Sequence, residues 1–167
     1  MLLLLMRHGI AEDSGKDSDE SDARRALTQR GMDKVRGMGE ALKQCGYKPT
    51  HYCSSPRLRA EQTARLVAEV FGKSKVHTVD SLDFDGDWSG LVKELREVTG
   101  EDEKAVVLAA SHQPNCGKYV TEALTGTSLG MEFKKAAVAG IEWNGPIDET
   151  GGRLVFYWTF GMVKKMG

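Results

Sequence analysis

The sequence predicts an α/β protein, built as a three-layer α/β/α sandwich with a mostly parallel central sheet and a C-terminal antiparallel hairpin. Two apolar runs, residues 2–6 and 105–111, show almost no alternation, which is typical of parallel strands covered on both faces. Segments of helical periodicity alternate with strand-like stretches over most of the chain, and the last part is rich in β-forming residues.

Length and composition favour an ordinary globular protein. At 167 residues the chain fits one domain, residues 1–167, that can bury a core. A net charge of −1 argues against general affinity for nucleic acids or membranes, so any anion site must be local. The first apolar run is too short for a leader peptide or a membrane span. Three cysteines without close pairing or metal-ligand spacing favour reduced thiols and a cytoplasmic location.

The first half of the chain predicts two strands and two helices. The first strand ends at Gly9, and the polar, acidic residues 10–28 predict a solvated surface loop. Thr28 is expected to cap a helix that stops at Gly46. "THYCSS" predicts a second strand, and Pro56 suits the start of the helix that follows it.

The second half continues the alternation and then changes character. "KVHTVDSL" predicts a third strand, Ser89 is a candidate cap of a helix ending at Gly100, and "AVVLAAS" is a buried strand followed by a helix ending near Gly126. "AAVAGIEWN" and "GRLVFYWTF" predict an antiparallel hairpin whose aromatic residues serve packing.

Basic residues and histidines follow three of the predicted strands. These residues are Arg7 and His8, then Arg57 and Arg59, then His112. If the strands are parallel, their carboxyl ends lie side by side and these side chains converge on one pocket. Arginine forks and helix N-termini bind phosphate oxygens, and a histidine can attack phosphorus while another binds an oxygen or moves a proton. Neighbouring arginines would keep the attacking ring neutral.

Each of these residues alone could be a structural or surface group, but the motifs that contain them occur together. "RHG" after a first strand, "SSPRLRAEQTA" and a later "SH" resemble the histidine phosphatase superfamily, which has the phosphoglycerate-mutase-like fold. The resemblance spans Leu2 to about Gly126. "LLMRHG", "RALTQRG", "SPRLRAEQT" and "SHQP" are most similar to the SixA-type phosphohistidine phosphatases.

The resemblance implies roles for individual residues. His8 corresponds to the histidine that becomes phosphorylated, Arg7 to the arginine beside it, and His112 to the second histidine of the family. His8, Arg7, His112 and a second arginine form the implied catalytic set.

That second phosphate-binding arginine corresponds to Arg59, in the RA-x-x-T element. Arg57 lies where the family varies and therefore ranks below Arg59. Arg25, in "RALT", matches an arginine of the SixA-type pattern that would close over the phosphate; the adjacent Arg24 leaves its register open. Arg7, Arg25, Arg59 and His112 are the implied substrate-binding residues.

The identity of a general acid stays open. Mutases and acid phosphatases of the superfamily protonate an alkoxide leaving group with a carboxylic acid, which mutases typically carry in a long insertion after the second helix. Residues 72–105 leave little room for such an insertion, and an open pocket together with a better leaving group favours phosphohistidine over sugar phosphates.

The acidic stretch "DSLDFDGDW" is the alternative source of an acid. Its carboxylates are Asp80, Asp83, Asp85 and Asp87. The spacing of the last three with Glu94 resembles a calcium loop, except that Trp88 stands at the sixth position, where the loop needs glycine. A solvated loop is the expected structure, and no metal site is expected.

The sequence therefore predicts a phosphatase that uses neither metal nor other cofactor and works through a phosphohistidine intermediate on His8. Its expected partner is a phosphorylated protein carrying phosphohistidine, or else a small phosphorylated metabolite; nucleic acid and membrane partners are not expected. Two alternatives remain: a small-metabolite phosphomonoesterase that uses a loop aspartate as general acid, and a non-catalytic module that recognises phosphate. The oligomeric state is left open.

Overall fold

Six strands form one mixed sheet at the centre of the molecule. The computed structural model describes residues 1–13 and 18–166. Its strands are β1 (Leu2–Arg7), β2 (His51–Ser54), β3 (His77–Thr78), β4 (Val106–Ser111), β5 (Val138–Glu142) and β6 (Arg153–Trp158). In the order β3-β2-β4-β1-β5-β6, the first four are parallel, while β5 runs antiparallel to β1 and β6 antiparallel to β5.

Helices cover both faces of this sheet. They are α1 (Asp19–Ala23), α2 (Gln29–Gln44), α3 (Leu58–Val70), α4 (Trp88–Thr99), α5 (Asn115–Thr125) and α6 (Phe160–Met166), with a 3-10 turn at Asp80–Leu82. Apolar side chains of α2, α3 and α6 form one core cluster, and those of α4 and α5 form another. The predicted α/β/α sandwich with a C-terminal hairpin is thereby confirmed.

The first strand shows why its sequence does not alternate. Leu3 and Leu5 belong to the cluster under α4 and α5, whereas Leu4 and Met6 belong to the cluster under α2 and α3, and all four are fully buried. Because successive side chains of a strand point to opposite faces, a strand covered on both faces must be apolar throughout.

The helix starts agree with the sequence in one case and differ in another. The Oγ1 atom of Thr28 accepts a hydrogen bond from the backbone nitrogen of Gly31 at 3.0 Å, as expected of the predicted cap of α2. At α4 the cap is Asp87, whose Oδ1 accepts from the nitrogen of Gly90 at 2.7 Å, and Ser89 lies inside the helix. Aspartate and serine cap equally well, so the sequence did not distinguish them.

Three other elements differ from prediction. The stretch predicted as a loop, residues 10–28, contains α1, a helix without a buried residue and therefore without an apolar period to reveal it; residues 14–17 of that stretch lie outside the described residues. The predicted third strand is reduced to β3 before the 3-10 turn. The helix α6 was not predicted, and its Phe160 packs so closely on Gly37 that an added Cβ there would lie 2.7 Å from the ring.

The C-terminal hairpin packs its aromatic residues as expected. The rings of Phe156 and Trp158 stack at 4.1 Å between centroids, and Trp143 is buried against Trp88. Within the ranges that the structure describes, no helix is long and apolar enough to cross a membrane.

Candidate active site

The carboxyl ends of β1, β2 and β4 bring the predicted residues to one edge of the sheet. Arg7 is in register with Ser111, and Ser54 with Ala110, so the residues that follow each strand lie next to one another. The imidazole rings of His8 and His112 are 5.0 Å apart between centroids. The parallel arrangement expected from the sequence thus places the two histidines at one site.

His8 is buried, and its two ring nitrogens differ in protonation. Its Nδ1 lies 2.7 Å from the carbonyl oxygen of Gly9, and since a carbonyl only accepts, Nδ1 carries the proton. The lone pair is therefore on Nε2. Burial, and after it the positive charge of Lys135, lowers the pKa of His8 to about 2. The ring is neutral at neutral pH, with Nε2 available as a nucleophile.

A chain of hydrogen bonds fixes the turn after β1 against α3. The nitrogen of Gly9 donates to Oγ1 of Thr63 at 3.1 Å, and that hydroxyl donates to the carbonyl of Arg59 at 2.7 Å. A Cβ at residue 9 would lie 2.9 Å from a methyl group of Val35, so glycine is required by the close approach of α2. The threonine of the RA-x-x-T motif therefore connects the loop of His8 to the helix that carries Arg59.

His112 is fully buried beside His8. Its Nε2 lies 2.8 Å from the hydroxyl of Ser55, and the Phe84 ring is 4.7 Å away between centroids. Its Nδ1 is buried without a hydrogen-bond partner in the described part of the chain. Burial and the charge of Arg59 lower the pKa of His112 to about 3, although Asp83 opposes this. The second histidine is thus also neutral at neutral pH.

Arg59 is buried and Arg7 is partly buried, and both guanidinium groups are held by hydrogen bonds to backbone carbonyls. Nη1 of Arg7 donates to the carbonyl of Phe133. Arg59 is 2% exposed and donates from Nη1 to the carbonyl of Asp22 at 2.6 Å and from Nη2 to its carboxylate at 2.9 Å. The Nε atoms of both arginines are buried without a partner among the described residues.

The carboxylate of Asp22 joins three arginines. Its Oδ2 also accepts from Nη1 of Arg57 at 3.0 Å, and its Oδ1 accepts from Nη1 of Arg25 at 2.9 Å. Burial disfavours the ionised form, but the hydrogen bonds from Arg25 and Arg59 outweigh it and keep the pKa of Asp22 below its usual value. The three arginines thus share one carboxylate of the protein itself, and phosphate binding by Arg25 and Arg59 stays a prediction.

Arg57 belongs to the same cluster, although the sequence ranked it below Arg59. Its side chain is 7% exposed, its Nε donates to Oδ1 of Asp83 at 2.6 Å, and its guanidinium lies 4.5 Å from the centroid of Phe84. The signal in the sequence was its position two residues before Arg59 at the start of α3, where both side chains can face the site.

Of the loop aspartates, Asp83 comes nearest to the histidines. Its Oδ1 lies 3.8 Å from Nε2 of His112. Asp87 caps α4, and Asp80 and Asp85 are exposed. Among residues 1–13 and 18–166, no group of three His, Cys, Asp or Glu side chains is arranged to hold a metal ion.

Lys135, which was not among the predicted site residues, places its Nζ 3.2 Å from Nε2 of His8. The lysine stands just before β5, and β5 runs antiparallel to β1, so its first residues meet the carboxyl end of β1. The sequence could have indicated Lys135 only if the hairpin had been predicted to pair with β1, because a strand antiparallel to β1 begins beside His8.

The sequence model of the histidine phosphatase superfamily (branch 1) matches residues 3–125. The match covers most of the chain and all the motifs of the site, so the protein belongs to the histidine phosphatase superfamily and is a phosphatase enzyme. Within it the chain is similar to phosphohistidine phosphatase SixA of Escherichia coli (strain K12), with 34% identity over 152 residues, 90% of this chain and 88% of the relative.

Solved structures agree with this placement. The protein histidine phosphatase SixA complexed with tungstate superposes with a TM-score of 0.81 at 29% identity, covering 98% of this chain and 99% of that one. A phosphoglycerate mutase from Bacillus anthracis shares the fold, with a TM-score of 0.70 at 16% identity over 98% and 95% of the two chains.

A mutase relative shows where the similarity ends. The 2,3-bisphosphoglycerate-dependent phosphoglycerate mutase of Parvibaculum lavamentivorans is 33% identical over 107 residues, 61% of this chain and 51% of the mutase. The alignment therefore covers only half of the mutase, whereas nearly all of SixA is matched.

Proposed function

We propose that this protein removes the phosphoryl group from phosphohistidine on a protein substrate, through a covalent phosphohistidine on His8. The observation that carries the proposal is the state of His8: Nδ1 is bound to the Gly9 carbonyl, and the unprotonated Nε2 faces a site with buried arginines. The similarity to phosphohistidine phosphatase SixA over nearly the whole of both chains supports the substrate class.

In the first step, the lone pair of Nε2 of His8 forms a bond to phosphorus. The bond between phosphorus and the substrate imidazole breaks, and the leaving imidazole takes that electron pair. Arg7 and Arg59 bind the non-bridging oxygens, where charge is held during transfer, and His112 binds another of these oxygens. Because the Gly9 carbonyl holds the Nδ1 proton, the His8 ring gains a positive charge that this carbonyl stabilises.

In the second step, a water molecule attacks the phosphorus of phosphorylated His8. A new phosphorus–oxygen bond forms, the bond to Nε2 breaks, and its electron pair returns to the ring, which becomes neutral again. The protons of the water leave with the phosphate or pass to solvent. Neither step requires a metal ion, because the arginines supply the positive charge.

The leaving group decides how much an acid is needed. General acid catalysis is worth about 10² to 10⁴ in rate and matters most for a poor leaving group such as an alkoxide. A phosphohistidine protonated on its other nitrogen releases neutral imidazole and needs little help. Oδ1 of Asp83, the nearest loop carboxylate, already accepts a hydrogen bond from Nε of Arg57 at 2.6 Å, so this oxygen is engaged within the protein.

A substrate panel with the Asp83→Asn variant tests this proposal. A phosphohistidine peptide should be hydrolysed far faster than a phosphoserine peptide, with p-nitrophenyl phosphate between them, and Asp83→Asn should change phosphohistidine turnover less than about tenfold. Asp85→Asn, an exposed neighbour on the same loop, is the matched control.

The second candidate is a phosphomonoesterase for a small metabolite, with Asp83 as the acid. The 3.8 Å distance between Asp83 and His112 favours it, since the carboxylate lies at the site. This candidate would be established, and the first overturned, if the enzyme hydrolyses an alkyl phosphate fast and this rate is lost in Asp83→Asn but kept in Asp85→Asn.

A further inference from the structure

Lys135 is directed at His8 by an unusual turn. The nitrogen of Ala137 donates to the carbonyl of Lys134 at 2.9 Å, and Ala136, between them, has a positive φ of 61°. Residues other than glycine rarely adopt this conformation and keep it where the surroundings impose it, often at functional sites.

Backbone hydrogen bonds show what imposes this turn. The backbone nitrogen of Ala136 lies 3.2 Å from the carbonyl oxygens of both Arg7 and His8. In the other direction, the backbone nitrogen of Arg7 donates to the carbonyl oxygen of Ala137 at 3.0 Å. The turn is therefore fastened to the end of β1 itself, and the position of Lys135 relative to His8 is set by the backbone.

The ammonium group of Lys135 occupies the side from which His8 would attack. Nζ is 3.2 Å from Nε2, the nitrogen that holds the lone pair. Reacting atoms in a productive complex lie ~3–3.5 Å apart. A phosphorus atom positioned for attack by Nε2 would thus have Nζ beside it. Non-bridging oxygens lie on this side of phosphorus, whereas the leaving group lies on the far side.

The positive surroundings of Lys135 also favour the binding of an anion beside it. Burial, then Arg7, Arg59 and Arg25, lower the pKa of Lys135 to about 8, and Asp22 opposes this. The ion pairs found in the described part of the site join carboxylates to arginines and do not include Lys135. A partly buried ammonium among like charges is stabilised when an oxyanion binds beside it.

We propose that Lys135 is a further phosphoryl ligand of this enzyme, which binds a non-bridging oxygen next to His8 before transfer and in the phosphorylated enzyme. Here His8 is taken as the nucleophile, as in the proposed function. When the phosphoryl group enters, Nζ exchanges its contact with the Nε2 lone pair for one with phosphoryl oxygen, which frees Nε2 to attack.

Tungstate, a dianion of phosphate-like shape, tests the proposal without any assumption about the substrate. Its dissociation constant is measured by calorimetry for the wild type, Lys135→Met, Lys135→Arg and Lys134→Met. Lys135→Met should weaken binding about 10- to 100-fold, the range for loss of a charged hydrogen bond. Lys134→Met makes the same charge change on the exposed neighbouring residue and should stay within about threefold of the wild type.

The pH dependence separates a direct contact from a structural effect. Tungstate binding to the wild type should weaken above about pH 8, as Lys135 loses its proton. The groups facing Lys135 are Arg7 and His8 at the end of β1, Asp22 and Arg25 from the α1 region, Arg59 of α3 and His112 after β4. In Lys135→Arg the weakening above pH 8 should vanish while affinity near pH 7 stays within about tenfold, because arginine keeps its charge.

Several outcomes would overturn the proposal. Lys135→Met could bind tungstate as the wild type does, or Lys134→Met could lose as much affinity. If Lys135→Met does not fold, an unchanged pH profile in Lys135→Arg refutes the proposal by itself. Failure of the proposed function would appear differently, as tungstate binding that depends on Lys135 in an enzyme that does not hydrolyse phosphohistidine.

Discussion

At the residue scale, the surroundings of His8 determine what its ring can do. The Gly9 carbonyl holds the proton on Nδ1, and burial with nearby cations keeps Nε2 unprotonated. A histidine on the surface would lack both constraints, because water satisfies either tautomer and the pKa stays near its ordinary value. The fold therefore sets the tautomer and the neutral state of this ring before any substrate binds.

Replacement of His8 should abolish turnover and preserve the fold. His8→Ala removes the atom that forms the covalent bond, so the phosphohistidine hydrolysis rate should fall by about 10⁴ or more. His77→Ala, a partly exposed histidine on the edge strand β3, is the control and should keep the wild-type rate. Rates and thermal melts are measured together; a folded His8→Ala enzyme retaining more than about a tenth of the rate would exclude His8 as nucleophile.

The residues that the sequence could place are those whose positions depend on local structure. His8 and His112 each follow an apolar strand directly, so a parallel sheet was enough to predict that they meet. Lys135 and Asp22 could not be placed in this way. The first reaches the site through the pairing of β5 with β1, and the second through a helix that has no buried residue.

At the element scale, α1 brings a carboxylate to the arginines of the site. Ser18 caps this helix, and Asp22 in its last turn contacts Arg25, Arg57 and Arg59. Carboxylate and phosphate oxygens bind arginine in the same way, so Asp22 competes with an incoming phosphoryl group for the same donors. The acidic stretch predicted as a solvated loop thus reaches the anion site.

Neutralising Asp22 should strengthen anion binding. Asp22→Asn keeps the size of the side chain and removes the competing charge, so the affinity for tungstate should rise by about tenfold, or ~1.4 kcal/mol. Asp33→Asn, on the exposed face of α2, changes the net charge equally and should have little effect. Calorimetric titration of both variants is the measurement. Equal or weaker binding in Asp22→Asn would mean that Asp22 organises the arginines and does not compete for them.

At the scale of the whole molecule, the sheet places the site at the edge of a core that is buried on both faces. The same geometry explains why the strand-end histidines are so well shielded: His8 is 3% exposed and His112 is fully buried. A core that excludes water from these two histidines also resists their protonation, which links the charge state of the site to the stability of the protein.

The free energy of unfolding should therefore fall as the pH drops below 6.5. The folded-state pKa values of His8 and His112, about 2 and about 3, lie below the unfolded value of 6.5. Between these limits the unfolded chain binds more protons, so stability is fully present above pH 6.5 and is lost toward the folded-state values. For each histidine the slope rises from about half of ~1.4 kcal/mol per pH unit at pH 6.5 toward that full value at lower pH, so both together cost about 3 kcal/mol between pH 6.5 and 5.

Urea unfolding at pH 7.5, 6.5, 5.8 and 5.0 measures this loss in a range where model carboxylates remain ionised. The double variant His8→Asn, His112→Asn cannot bind the two protons, so its stability should change much less over the same interval. His77→Ala is again the control, because it removes a histidine that is only partly buried and lies on the edge strand β3. If the wild type and the double variant lose stability in parallel, the pKa values of the two histidines are not lowered in the folded enzyme, and the shielding of these rings by the core would have to be abandoned.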